Sequence, residues 1–501
     1  MDLASQFNNE WFQNKEWWFN CSAEIDNYII EKYIDLLDYD ISRCTFICKI
    51  LIYDQLPRHI YRNTSSHHIV EYYLQKAIQC CIQNIQNIQN IDNNKLTDEE
   101  FCFALLPLRH SNITHYVYWA IDICWNRLKK QNNNDLLKRF LIASYQRCPL
   151  IGAVYTRGLG TYLEKYRDIL DYSPSYPPIN NKHKITKFTK MEKPNIKSVI
   201  ISLSGGVDSM VCSWLLVNTY PKSNITAIHI NYNNRSTSDM EASFVVDWCT
   251  FLGIKCKVRR IHEIERKSCM DYGMREVYER YTRNIRYFCY KEEDADYIVL
   301  GHNRDDVLEN IFTNIAHKHK YDNLDGMQEH SIQDGISFWR PLLKKTKQQI
   351  KDFANELGIP YLPNSTPVWS QRGQIRDTIV PTLQNWNISF IESMYHLSDT
   401  VRDLYNILDL QIETFLKDTV CESKNRKITY TTKYATLPVT YLFWKGVFKK
   451  LDIHITDKSL QHFISRISND NVNDSIKITI SKVANCVIKP KLQTIYVELF
   501  F

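Results

Sequence analysis

The chain has 501 residues, 44% of them hydrophobic, and a formal net charge of +6. That is enough for about two to four domains with real cores, and the mild basic excess permits an anionic partner without demanding one. The opening MDLASQFNNEWFQNKEWW lacks a basic start with an apolar stretch behind it, and no apolar run nears the roughly 18–20 residues of a membrane helix, so neither secretion nor a membrane span is expected.

In chain order, residues 1–171 read as helix throughout. AEIDNYIIEKYIDLL puts Ile25, Ile29, Tyr33 and Leu36 on one face, and THYVYWAIDICWNRLKK does the same with Val117, Ile121, Cys124 and Leu128. LTDEEFCFALL carries a helix start, with Thr97 as N-cap and Glu100 three residues on. The tandem tract IQNIQNIQNI reads as extended helix or loop. In KILIYDQLPRHIYRNT an apolar run passes into Asp54, Gln55, Arg58, His59 and Arg62, and Pro57 should end or kink the helix. Such crowding makes either a structural corner or a pocket.

Residues 172–196 break the pattern. Three prolines in the first seven positions forbid helix there, and the lysines beyond suggest a solvated linker. From 197 to 388 short β-branched runs (SVIISLS, NITAIHI, ADYIVLGH) alternate with helical stretches, which argues for a parallel sheet with covered faces. Residues 389–501 return to helix and then offer strands such as SIKITIS and TIYVELFF, a small, mostly helical α+β region. The 15 cysteines include no C-x-x-C pair, which suits reduced, buried thiols in a cytoplasmic protein.

SVIISLSGGVDSMVCSWLL reads as strand, tight turn, helix. Gly205 and Gly206 let a ligand approach the backbone, the helix beginning near Asp208 aims amides at the turn, and Ser204 and Ser209 add hydroxyls. A pyrophosphate group fits such a cradle. No lysine follows, so this is not the common NTPase loop. The pattern S-G-G-x-D-S, from Ser204 through Gly205, Gly206, Val207 and Asp208 to Ser209, is the signature of the pyrophosphate-loop (PP-loop) ATPases, which adenylate a substrate and release pyrophosphate.

The region from about 195 to 500 resembles the tRNA(Ile)-lysidine synthetase family. HINYNNRSTSD is similar to its H-V-x-H-G-L-R-x-x-S through His229, Arg235 and Ser236. RNIRYFCY matches R-x-x-R-Y through Arg283, Arg286 and Tyr287. GHNRDDVLEN matches G-H-x-x-D-D-x-x-E through His302, Asp305, Asp306 and Glu309. NLDGM, RPLLKKTKQQI and RGQIRDTIVP, with Arg372 and Arg376, follow. The resemblance implies an adenine-nucleotide α-hydrolase-like α/β domain that activates C2 of an anticodon cytidine with ATP and joins lysine to it. It implies Asp208, Arg283, His302 and Asp306 in catalysis, and His229 with the glycine turn around ATP. Asp208 and Asp305 are candidates for Mg²⁺, and Arg235, Arg286, Arg340, Arg372 and Arg376 for tRNA or phosphate. Chemically, joining an amine at C2 needs the pyrimidine O2 made into a leaving group, which adenylation does. His302 and Asp306, four apart, would share a face if a helix starts there, and could orient the base or the amine.

Three departures stand out: Tyr232 replaces a second His, Leu362 an Asp, and Gly373 an Asn. They touch lysine or tRNA selectivity more than adenylation. A tRNA thiolation enzyme of the same ATPase class is the alternative, but its 2-thiocytidine branch relies on a C-x-x-C pair. A catalytically dead tRNA-binding protein is a third reading.

Residues 10–165 resemble the family known as domain of unknown function 924, through the stretch from Asp54 to Arg62 and FCFALLPLRHS with Pro107, His110 and Ser111. The resemblance implies a tetratricopeptide-like all-α array, which would bring a protein partner or tRNA to the catalytic half.

Overall fold

The computed structural model describes residues 2–18, 22–62, 64, 66–89, 96–131, 134–159, 163–174, 177–188, 196–317, 323–364, 370–424, 427–434, 438–468, 475–481 and 484–500. The chain forms two compact units. The first comprises 1–301, 330–341 and 348–364, the second 302–329, 342–347 and 365–501. No helix among the described residues is long and apolar enough to cross a membrane.

The first unit opens with helices, as the periodicity predicts. Thr97 caps Asp98–His110 with a full capping box, its oxygen accepting from Glu100 N at 3.2 Å while Glu100 Oε2 accepts from Thr97 N at 2.8 Å. Val117, Ile121, Cys124 and Leu128 are all buried along Thr114–Lys130. The tandem tract is helical through Ile85–Gln89, and its end lies outside the described residues. Pro57 neither ends nor breaks its helix. A π turn over Leu51–Gln55 precedes it, and Leu56–Ile60 continues beyond. A proline lacks an amide and crowds the carbonyl four residues back, and a widened turn relieves both. Ile375–Ile379 does the same before Pro381 in the second unit.

The helical region does not hang from the sheet by a linker alone. Strand β1 (Val154–Tyr155) pairs antiparallel with β4 (Lys255–Arg260). Trp125 meets Tyr272 edge-on at 5.8 Å, Tyr145 meets Tyr281 at 5.2 Å, and Tyr145 Oη donates to Glu263 O at 3.0 Å. One continuous core runs from Phe7 and Trp11 to Ile200 and Ile298. The stretch expected to be a solvated linker carries the helix Lys182–Phe188, with Ile185 buried and Phe188 stacked on Phe353 at 4.0 Å. The prolines exclude helix only in its first part, and the ITKF run beyond supplies the apolar side chains that dock it.

The remaining strands are β2 (Val199–Ser202), β3 (Ile225–Asn231), β5 (Tyr297–Val299), β6 (His330–Gln333) and β7 (Ile336–Trp339), in the order β1-β4-β3-β2-β5-β7-β6. The five central strands are parallel and the two edges antiparallel. Successive strands build outward from β2 on one side through β3 and then on the other through β5. Beyond the carboxyl ends of β2 and β5 lies the crevice where open α/β sheets take ligands.

The second unit contains Arg304–Ala316, the long helix Phe390–Leu416 and a five-stranded antiparallel sheet. That sheet joins β8 (Val420–Lys424), β9 (Lys427–Lys433), β10 (Ile476–Ser481), β11 (Ala484–Lys489) and β12 (Thr494–Phe500) in the order β10-β11-β12-β9-β8. Its core gathers Trp444, Phe448 and Phe463 with Ile412 and Val497.

Candidate active site

The glycine turn follows β2 directly. Gly205 has φ +89°, and a Cβ there would strike Leu362 Cδ1 at 2.5 Å. Leu362 N donates to Gly205 O at 2.9 Å, so the leucine that departs from the family's aspartate packs beneath the turn. Gly206 is different: among the described residues a Cβ would find only Ser204 Oγ, at 3.6 Å. It caps the helix Val207–Val217 with no side-chain hydrogen bond among the described residues. The serines close the turn on itself. Ser209 Oγ accepts from Ser204 N at 3.2 Å, donates to Gly206 O at 3.0 Å and lies 3.1 Å from Ser204 Oγ. Val207 is buried, so it offers a ligand only backbone, while Asp208 is half-buried in the first turn. A helix start without a side-chain cap favours an anion. At Gly206 the backbone can be approached closely.

Two further residues shape this turn. His229 is buried on β3, with Nδ1 2.8 Å from Leu203 O, and burial pushes its pKa down. Through Nδ1 it holds the chain just past the end of β2. Gly301 follows β5 by two residues. A Cβ there would lie 2.9 Å from Ser209 N and 3.0 Å from Asp208 C. The chain leaving β5 is therefore pressed against the Asp208–Ser209 peptide. A glycine two residues past a predicted strand end is the signal that marks it.

In the second unit the helix begins at Arg304, with Asn303 as N-cap. His302 thus precedes the helix, and the expected shared face with Asp306 does not exist. Asp306 completes a capping box instead, Oδ2 accepting from Asn303 N at 3.0 Å while Asn303 Oδ1 accepts from Asp305 N at 2.9 Å and Asp306 N at 3.2 Å. The N-x-x-D spacing of 303–306 carries that signal. Asp305 Oδ2 accepts from Lys347 N at 3.3 Å. Glu309 is buried, and burial together with Asp306 raises its pKa to about 7 despite Arg372 and Arg376 nearby. Arg372 Nε lies 3.6 Å from Glu309 Oε2.

The basic candidates divide. Arg235 pairs with Glu241 at 3.0 Å and Arg376 forks onto Asp377 at 2.8 and 3.1 Å, both partly exposed. Arg283 is exposed and lies over the Tyr287 ring at 4.9 Å. Arg286 is half-buried among Tyr232, Tyr290 and Tyr287, whose phenols outweigh burial and raise its pKa. Arg340 is buried, donating to Ser331 Oγ at 2.8 Å. It directly follows the apolar strand β7 and is 8% exposed, so it offers little surface to tRNA phosphate. Among the described residues no cluster of three or more His, Cys, Asp or Glu is arranged to hold a metal ion. Asp208 belongs to the first unit and Asp305 to the second.

The polar stretch of the helical region forms a buried ionic corner. Asp54 lies 3.1 Å from His110 Nδ1 and 2.9 Å from Arg58, and Asp26 lies 2.7 Å from His59 Nδ1 and 3.2 Å from Arg62. Burial opposes ionisation of Asp54, yet His110 and Arg58 hold it well below the usual carboxylate range, while burial pushes both histidines down.

A profile of the PP-loop domain matches residues 179–383, and one described as "Bacterial protein of unknown function (DUF924)" matches 7–178. Among curated proteins, the tRNA(Ile)-lysidine synthase of Staphylococcus aureus strain COL is 26% identical over 245 residues, 47% of this chain and 56% of that protein. The corresponding protein of Chlamydia muridarum is 28% identical over 245 residues, 48% and 74% of the two chains. The chain thus spans little more than half the length of the staphylococcal relative. A solved U34-tRNA thiolase from Methanococcus maripaludis aligns over 45% of this chain and 77% of its own at 24% identity. Its TM-score of 0.35 is too low to carry an argument.

Proposed function

From a chain that joins a DUF924 domain to a PP-loop domain, we propose an ATP-dependent tRNA-modifying ligase that adenylates C2 of an anticodon cytidine and joins lysine there. The observation that carries it is the glycine turn: Gly206 opens onto space at a helix start that no described side chain caps. In this reading Ser204, Gly205, Gly206, Val207 and Ser209 embrace the pyrophosphate of ATP, and fixed backbone donors stabilise the charge that grows as it departs. Asp208, in the turn, is the carboxylate we assign to Mg²⁺, which needs only one or two beside the nucleotide's own phosphates.

The incoming amine must lose a proton. Asp306 already serves its helix cap, whereas Glu309 has a pKa of about 7 and suits proton transfer at neutral pH. We assign the acid–base role to Glu309, with His302 beside the reacting base. Arg283, Arg286, Arg372 and Arg376 are the proposed phosphate contacts, and the DUF924 domain the proposed contact for a protein partner or the tRNA body.

The sulfur-transfer alternative finds no support at Cys269 or Cys289. Cys269 and Cys289 are buried, and burial pushes their thiols up to about 12 and about 11. A low-pKa, accessible thiolate is what such chemistry uses. Nucleotide products test the proposal. With ATP, lysine and tRNA the purified chain should release AMP and pyrophosphate only when tRNA is present. ADP with phosphate, or release independent of tRNA, would overturn it. Binding to tRNA should also weaken steeply with salt, because basic side chains displace phosphate counterions.

A further inference from the structure

The ionic corner of the helical region carries a basic excess that its own acids do not cover. Asp54 accepts from Arg58 Nε at 3.2 Å and Nη2 at 2.9 Å, and lies 3.1 Å from His110 Nδ1. His110 Nε2 lies 3.4 Å from Arg109 Nη2. Arg58, Asp54, His110 and Arg109 thus form one contiguous polar row. The neighbouring Asp26 and Arg62 pair with each other at 3.2 Å and add no net charge.

Arg109 forms no salt bridge among the described residues. Its guanidinium lies 5.0 Å from the centre of the Phe140 ring. Burial, with repulsion from Arg147, lowers its pKa to about 10, although Asp54 opposes that shift. A half-buried cation with no carboxylate of its own keeps its desolvation cost, and such charges are ordinarily paired. Arg147 stands seven residues beyond Phe140 on the helix Asp135–Arg147, so both lie on the face turned to Arg109. It is exposed and likewise forms no salt bridge among the described residues. Arg58 is not enclosed by its pairing, since 31% of its side chain is exposed. Three guanidiniums therefore accompany the single carboxylate of Asp54, an excess of two positive charges.

We propose that Arg58, Arg109 and Arg147 hold the phosphoryl group of a small phosphate monoester. Such a group carries about −1.5 to −2 charges at neutral pH, which matches the excess. Guanidiniums also fork onto its oxygens with good geometry. A single carboxylate would cover only half of that charge. The site belongs to the helical region, apart from the glycine turn, and stands whether or not the ligation does.

Calorimetry on the full chain with glycerol 3-phosphate tests it, beside glycerol and succinate, which lack the phosphoryl group. Glycerol 3-phosphate should bind at millimolar concentration or below, succinate more weakly and glycerol not at all. Arg109→Gln should weaken binding roughly tenfold or more, the usual loss for a hydrogen bond to a charged group. Arg147→Gln should weaken it several-fold. Neither should alter the affinity for ATP, whose phosphates are assigned to the glycine turn. If Arg109→Gln fails to fold, Arg147→Gln, at an exposed position, still decides. No binding of glycerol 3-phosphate, tighter binding of succinate, or binding unchanged in Arg147→Gln overturns the proposal. Binding lost in Gly206→Val and kept in Arg109→Gln would place the phosphate at the glycine turn and overturn it equally.

Discussion

Two helix starts carry the motifs of this protein, and they are built in opposite ways. The helix Val207–Val217 begins at a glycine with no side-chain cap among the described residues, and the helix Arg304–Ala316 begins inside a complete capping box. A helix N-terminus has amides to satisfy. No side chain among the described residues caps the first start, whereas Asn303 and Asp306 satisfy the second. Motif residues at an open start act through backbone and space. Those at a closed start are divided between holding the helix and doing chemistry.

The largest expected effect lies at the open start. Gly206→Val should abolish nucleotide binding with little change in thermal stability, because its Cβ meets nothing closer than 3.6 Å. Asp208→Ala should likewise end ATP-dependent modification in a folded chain. Retained ATP binding in Gly206→Val, measured by calorimetry, would erase the contrast between the two starts.

Glu309 comes next. Glu309→Gln should slow single-turnover modification by about 10²–10⁴-fold, the usual yield of a general base. In the unmodified chain the rate should climb as pH rises through about 7, where Glu309 ionises, and the glutamine variant should lose that limb. The stability sign is opposite. A carboxyl raised on folding keeps its proton where the unfolded chain has lost it, so its contribution declines as pH rises from the usual carboxylate range to about 7. Asp306→Asn with full activity would confirm that Asp306 serves the cap alone.

Gly301→Ala should cost about 1–3 kcal/mol of stability through overpacking, and weaken nucleotide binding as the Asp208–Ser209 peptide is displaced. Smallest is Asn303→Ala, about 1 kcal/mol for a lost cap, read by chemical denaturation, with ATP affinity unaltered.

The same contrast explains what could be read from the residues alone. The turn from Ser204 to Ser209 was legible because left-handed backbone and close approach admit few residue types, and Gly205 with φ +89° is the case in point. The helical faces and the Thr97–Glu100 cap were legible from periodicity and spacing. At Pro57 the helix does not end, and the π turn that lets it continue depends on the carbonyl it relieves and leaves no mark on residue type. Arg340 misled: a guanidinium reads as surface until the strand before it buries it. The join between the helical region and the sheet rests on a two-residue strand and on aromatic pairs such as Tyr145–Tyr281, which are far too distant in sequence to show a pattern.

The most direct measurement supplies purified chain, ATP, unfractionated tRNA and labelled lysine. Label should enter tRNA in a form stable to mild base that strips aminoacyl esters, and it should vanish in Asp208→Ala. AMP release with no lysine in the tRNA would contradict the ligation, and would turn attention to another nucleophile at the same glycine turn.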